Sequence, residues 1–293
     1  MNDKLNRLLD HLETFLPKPL TDQDWKNAKA FRWQRRDSIF GSIGFLKPVK
    51  HLSDIEFDDL KHIDRQRDAI IENTQHFVDK KPANNILLTG ARGTGKSSLI
   101  KACLNQFANQ GLRLLEVDKD HLADLPDITE LLAVRPERFI VFCDDLSFED
   151  GESGYKAMKS ALDGSISAQV DNVLIYATSN RRHLLPEYMR DNESYVHTDD
   201  GEIHPGEVVE EKISLSERFG LWLSFYPPRQ EEYLAIVSHW LSHFGLTSKE
   251  IEAARSEALV WALERGSRSG RVAFQFYDFC VLGFCQCSHH KQL

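Results

Sequence analysis

No apolar run in this 293-residue chain approaches the ~18 residues that a membrane-crossing helix requires. The first residues carry Asp3, Lys4 and Arg7 and no apolar block, so they lack the core of a secretory leader. Cysteine is scarce, with five in the whole chain, which excludes a disulfide-built scaffold and suits a reducing compartment; we expect a cytoplasmic protein. No segment repeats. An overall positive charge is missing too. The net charge is −9, a poor match for a protein built to coat nucleic acid. The imbalance is uneven. Residues 1–50 hold ten Lys/Arg against six Asp/Glu, residues 229–293 hold seven of each, and the acidic excess lies between them.

Against these absences stands one dense feature. The apolar stretch Ile86-Leu87-Leu88 runs into Thr89-Gly90-Ala91-Arg92-Gly93-Thr94-Gly95-Lys96-Ser97-Ser98, a G-x-x-x-x-G-K-S phosphate loop. The glycines permit a tight turn whose N–H groups converge on a polyphosphate. Lys96 reaches the β- and γ-phosphates, and the Ser97 hydroxyl completes a Mg²⁺ shell. Residues 98–104 read as a helix, whose N-terminal dipole adds to the anion site. ATP and Mg²⁺ are the implied cofactors.

Four short apolar runs, at 86–89, 112–117, 139–143 and 172–178, are spaced by helical sequence, the pattern of a buried parallel sheet. Further helices are expected over 4–16, 64–78, 231–244 and 248–265, and a long polar surface loop over 190–212. The third run ends in Asp144-Asp145. Two carboxylates capping a buried strand call for a cation: Asp144 is placed to hold Mg²⁺ and Asp145 to polarise a water. The fourth ends in Ser179-Asn180, and Asn180 is expected between the phosphate loop and the acids. Arg218, in Ser216-Glu217-Arg218-Phe219-Gly220, and Arg271, in Ser269-Gly270-Arg271, are candidates to neutralise a γ-phosphate. The cluster Phe31-Arg32-Trp33-Gln34-Arg35-Arg36 could stack on bases, but packing of this extension on the chain's own acidic core is the preferred reading. The C-terminal Cys280, Cys285, Cys287, His289 and His290 match no usual zinc spacing.

The order of these pieces resembles the AAA+ ATPases, and residues 215–233 resemble the matching stretch of bacterial replication-initiator ATPases. Residues 82–88, 142–148 and 269–271 are similar to an uncharacterised bacterial AAA+ family catalogued as domain of unknown function 815, over about residues 30–285. The resemblance implies that Asn180 is sensor 1, Arg218 an arginine finger, Arg271 sensor 2, and Ile63 part of the adenine pocket. Many AAA+ proteins carry Asp-Glu where this chain has Asp144-Asp145. The resulting expectation is an α/β P-loop core over 51–228, a helical lid over 229–293 and a basic N-terminal extension over 1–50 that is dispensable for nucleotide binding but needed for a partner. The function expected is that of an ATPase remodelling an unknown protein partner, as a homo-oligomer joined through Arg218. A small-molecule P-loop kinase and an ATP-loaded adaptor with little turnover are the rivals.

Overall fold

The central strands have to be parallel and covered on both faces, because the runs at 86–88, 139–143 and 173–177 carry apolar side chains almost without a break. In the computed structural model, which describes residues 17–38, 41–148, 153–163, 170–181, 184, 196–197, 203–204 and 215–283, seven strands form one sheet. The strands are β1 (Ala30–Ser38), β2 (Gly41–Pro48), β3 (Ile86–Gly90), β4 (Leu112–Glu116), β5 (Arg138–Cys143), β6 (Val173–Ser179) and β9 (Leu221–Phe225); β7 (Val196–His197) and β8 (Ile203–His204) form a separate antiparallel pair within the expected loop. Their order across the sheet is β2-β1-β4-β5-β6-β3-β9, with only β2 antiparallel to its neighbour.

Alternation along β5 shows how both faces are filled. Phe139, Val141 and Cys143 face one apolar layer, and Ile140 and Phe142 face the other. The first layer is closed by α1 (Asp22–Asn27), α4 (Leu125–Ala133) and α5 (Ser153–Asp163), which contribute Trp25, Ile128, Leu132 and Met158. The second is closed by α2 (Asp64–Val78) and α3 (Lys96–Phe107), which contribute Ile70, Phe77, Leu99, Ile100 and Phe107.

After Pro227-Pro228 the chain builds three helices: α6 (Gln230–His243), α7 (Ser248–Glu264) and α8 (Gly270–Val281). They have a core of their own around Tyr233, Leu241, Phe276 and Cys280. Ala254, Ala258 and Ala262 recur every four residues on α7, a small-residue face that lets the helices approach closely. Thr247 and Ser269 cap α7 and α8 through their hydroxyls.

Besides the β7–β8 pair, three strands of the main sheet were not expected. β1 and β2 come from the segment read as an N-terminal extension, and β9 from the run around Trp222. The basic–aromatic cluster is part of the sheet. Phe31 and Trp33 are buried, while Arg32 pairs with Glu116 at 2.6 Å and Arg35 with Asp124 at 3.4 Å. The expected helix over 4–16 and Cys285, Cys287, His289 and His290 lie outside the described residues. Among the described residues no helix is long and apolar enough to cross a membrane.

Candidate functional site

Strand order brings the sequence motifs together. β6 lies between β3 and β5, so the residues that end β6 separate the glycine-rich loop from the two acids. The loop turns where side chains have no room. Gly90 has φ of 130°, and a Cβ there would stand 1.9 Å from the carbonyl oxygen of Phe225 on β9. Gly95, at φ of 97°, is the left-handed residue that starts α3.

Lys96, the first residue of α3, is buried. Its Nζ donates to the carbonyls of Gly90 and Ala91, both at 2.8 Å, and to Asn180 Oδ1 at 3.0 Å. Burial pushes the ammonium below its ordinary pKa, while the charges of Asp144 and Asp145 pull it back up. Ser97 Oγ donates to Asp144 Oδ1 at 2.6 Å. Asn180 Nδ2 donates to Asp145 Oδ1, and Arg92 stands 3.8 Å from the other oxygen of Asp145. Lys96, Asn180 and Asp145 are therefore consecutive links in one chain of polar contacts, and Ser97 and Asp144 lie beside it.

These groups line a cleft of 1470 Å³ together with Gly93, Thr94, Ser98 and Ile63. Its opposite wall is the lid. The N–H of Arg271, near the start of α8, donates to the carbonyl of Gly93 at 3.3 Å, and the Arg271 side chain borders the cleft. Ile63 packs next to the loop: a Cβ on Gly95 would lie 3.6 Å from its Cδ1. Arg218 is elsewhere. It does not line the cleft, and its Nε donates to Asp163 at the end of α5.

Two sets of cleft residues escaped the sequence reading. Thr178 stands two residues before Asn180 on β6, so strand periodicity puts it on the same face. Its period was a usable signal. The second set is the lid wall of His239, Trp240, Phe274 and Tyr277, with Trp240 edge-on to Phe274 at 4.9 Å and His239 Nε2 3.3 Å from Asp59 Oδ1 of the core. His239 and Trp240 stand on α6 and Phe274 and Tyr277 on α8, so no spacing within the sequence joins them. Only the fold brings them together along one cleft.

The family model described as "Protein of unknown function (DUF815)" matches residues 26–282. The chain belongs to that family. No curated protein matches the sequence. Among solved structures, the DUF815 chain is similar to the FIGL-1 AAA domain in complex with ADP, with a TM-score of 0.51 and 17% identity, covering 80% of this chain and 75% of that one. It is also similar to a RuvB variant from Thermotoga maritima, with a TM-score of 0.51 and 14% identity over 78% and 67% of the two chains. DnaA from Aquifex aeolicus bound to AMPPCP aligns with a TM-score of 0.50 and 14% identity over 80% and 68%. At such identities the likeness shows the fold, which is that of the AAA+ ATPases. The DUF815 chain spans about two thirds of the length of the RuvB and DnaA structures.

Proposed function

We propose that this DUF815 protein binds ATP with Mg²⁺ and hydrolyses it, using the cycle to move its lid and to remodel a protein partner. The observation that carries this reading is the linked set Lys96–Asn180–Asp145 with Ser97–Asp144 at its side. The residues fit both groups. The loop glycines leave backbone N–H groups uncovered by side chains, and the Lys96 ammonium is held by neutral carbonyls that phosphate oxygens outbid. Ser97 Oγ and Asp144 Oδ1 are adjacent hard oxygen donors of the kind Mg²⁺ takes. Bound Mg²⁺ supplies charge neutralisation on the phosphate oxygens.

Within that frame Lys96 holds the β- and γ-phosphates, Asp145 orients the attacking water and Asn180 fixes the Asp145 carboxylate. Arg271 adds positive charge from the lid, and Ile63 contributes to the base pocket. Arg218 lies outside its own cleft, which supports its service to a neighbouring subunit in a homo-oligomer. The +4 charge of residues 1–50 is spent at least partly on internal pairs, which favours a protein partner over nucleic acid.

Isothermal calorimetry and phosphate release test the proposal. Lys96→Ala is expected to lose tight ATP binding, and unchanged affinity would sink the phosphate site. Asp145→Asn is expected to bind normally and to release phosphate at least ~10²-fold more slowly. A second reading, the ATP-loaded adaptor, is favoured by one observation: Asp145 is an Asp where Glu is common, and its carboxylate is already engaged by Asn180. Bound ATP persisting for hours in the wild type would select the adaptor.

A further inference from the structure

Thr178 is almost fully buried at the end of β6, and through its hydroxyl and carbonyl it makes hydrogen bonds to three consecutive residues of the facing turn. Its Oγ1 donates to Asp144 Oδ1 at 2.6 Å and accepts the Asp145 N–H at 2.9 Å. Its carbonyl accepts the Leu146 N–H at 2.6 Å. Asp145 between them is left-handed, at φ of 52°, a conformation that costs energy in a non-glycine residue and persists only where its surroundings impose it. A hydroxyl has one proton. Here that proton is committed to Asp144, so the lone pairs point to the Asp145 amide.

We infer that Thr178 is the positioning residue of the cation site: its hydroxyl aims the Asp144 carboxylate and, through the same oxygen, sets the turn that presents Asp145. The inference rests on the nucleotide-site reading proposed above. Ser97 meets the same Asp144 oxygen from α3, so that oxygen is held from two elements. Asn180, two residues on, holds the Asp145 carboxylate itself. Thr178 and Asn180 thus divide the work between the metal-holding and the water-orienting acid. Partners in this outer layer typically change metal affinity by about 10–100-fold when removed.

The test is the affinity of the full chain for a β,γ-methylene ATP analogue, measured by calorimetry with Mg²⁺ and with EDTA. Thr178→Val keeps the shape and removes the hydroxyl. We expect it to cut the Mg²⁺-dependent gain in affinity by about 10-fold or more, with the EDTA value unchanged. Thr178→Ser should restore the gain. A Thr178→Val protein with the full Mg²⁺ gain overturns the inference, as does one that loses both affinities together. Should the Val protein fail to fold, Thr178→Ala against Thr178→Ser decides, and equal Mg²⁺ gains in those two overturn it. A wild type that binds the analogue no better with Mg²⁺ than without brings down the reading of the site itself.

Discussion

At the scale of single residues, the sheet core is a poor place for an anion. The thiols of Cys103 and Cys143 are wholly buried, and burial pushes both from 9.0 up to about 12; the lid's Cys280 is moved likewise. Burial raises the Tyr176 phenol too, although it is hydrogen-bonded to Asn73 and Thr74. A raised value in the folded state means that stability is complete below pH 9 and falls as pH climbs towards 12, because the unfolded chain sheds those protons first. Lys96 acts in the opposite direction, since its lowered value relieves a burial cost as pH approaches 10.5. One ammonium does not offset three thiols. We expect unfolding free energy from urea melts to fall steadily above pH 9, each thiol contributing about 1.4 kcal/mol per pH unit once the unfolded form is ionised. Cys103→Ala should flatten that slope. A flat profile between pH 9 and 11 would show that the thiols are not shielded.

At the scale of elements, the N-terminal segment carries the largest revision. Trp25 on α1 is buried, 4.9 Å from the Phe31 ring and 6.0 Å from that of Phe139, with the Arg135 guanidinium over it at 4.6 Å. Residues 20–30 are therefore packed into the core rather than appended to it. Removing them takes away α1 and the first residue of β1, which pairs with Leu114 of β4. Trp25→Ala is expected to cost about 3–5 kcal/mol in urea melts, as for other large core aromatics. A loss below 1 kcal/mol would mean that α1 is an appendage. The lid shows coupling of a different kind: the Arg271 N–H bond to Gly93 ties the start of α8 directly to the loop. In the proposed cycle, a shift of the loop on filling would reach the lid through this bond.

At the scale of the whole molecule, the cleft is lined by residues 92–98 of the loop, Asp144, Asp145, Asn180 and Arg271, whereas Gly90 and Ala91 lie behind its wall and Arg218 lies away from it. If Arg218 serves a neighbour, the site is complete only between subunits. Specific activity should then rise with protein concentration and saturate. Arg218→Ala should bind ATP nearly as the wild type does and hydrolyse it poorly, with a loss on the order of 10³-fold. Mixing it with Lys96→Ala should restore part of the activity, because Lys96→Ala chains donate an intact Arg218 to sites with an intact Lys96. A concentration-independent rate with no recovery in the mixture would make the Arg218–Asp163 pair structural and the switch a property of one chain.

What the sequence determined by itself was whatever is contiguous. The phosphate loop is ten residues in a row, and each acid or amide follows its own apolar strand, so the fold class was legible and the proposed ligand class could be argued. Strands β1 and β9 were not. Phe31 and Trp33 stand among charged residues whose partners, Glu116 and Asp124, lie more than 80 positions away, so composition pointed to packing on the acidic core but not to a strand of the sheet. The run that became β9 is only five residues long, and its place beside β3 is a long-range pairing with no local signature. Thr178 is the same case in miniature. Its period put it on the face of Asn180, but the Asp144 oxygen and Asp145 amide that its hydroxyl meets belong to the turn after β5, and only the packed sheet brings them within hydrogen-bonding distance.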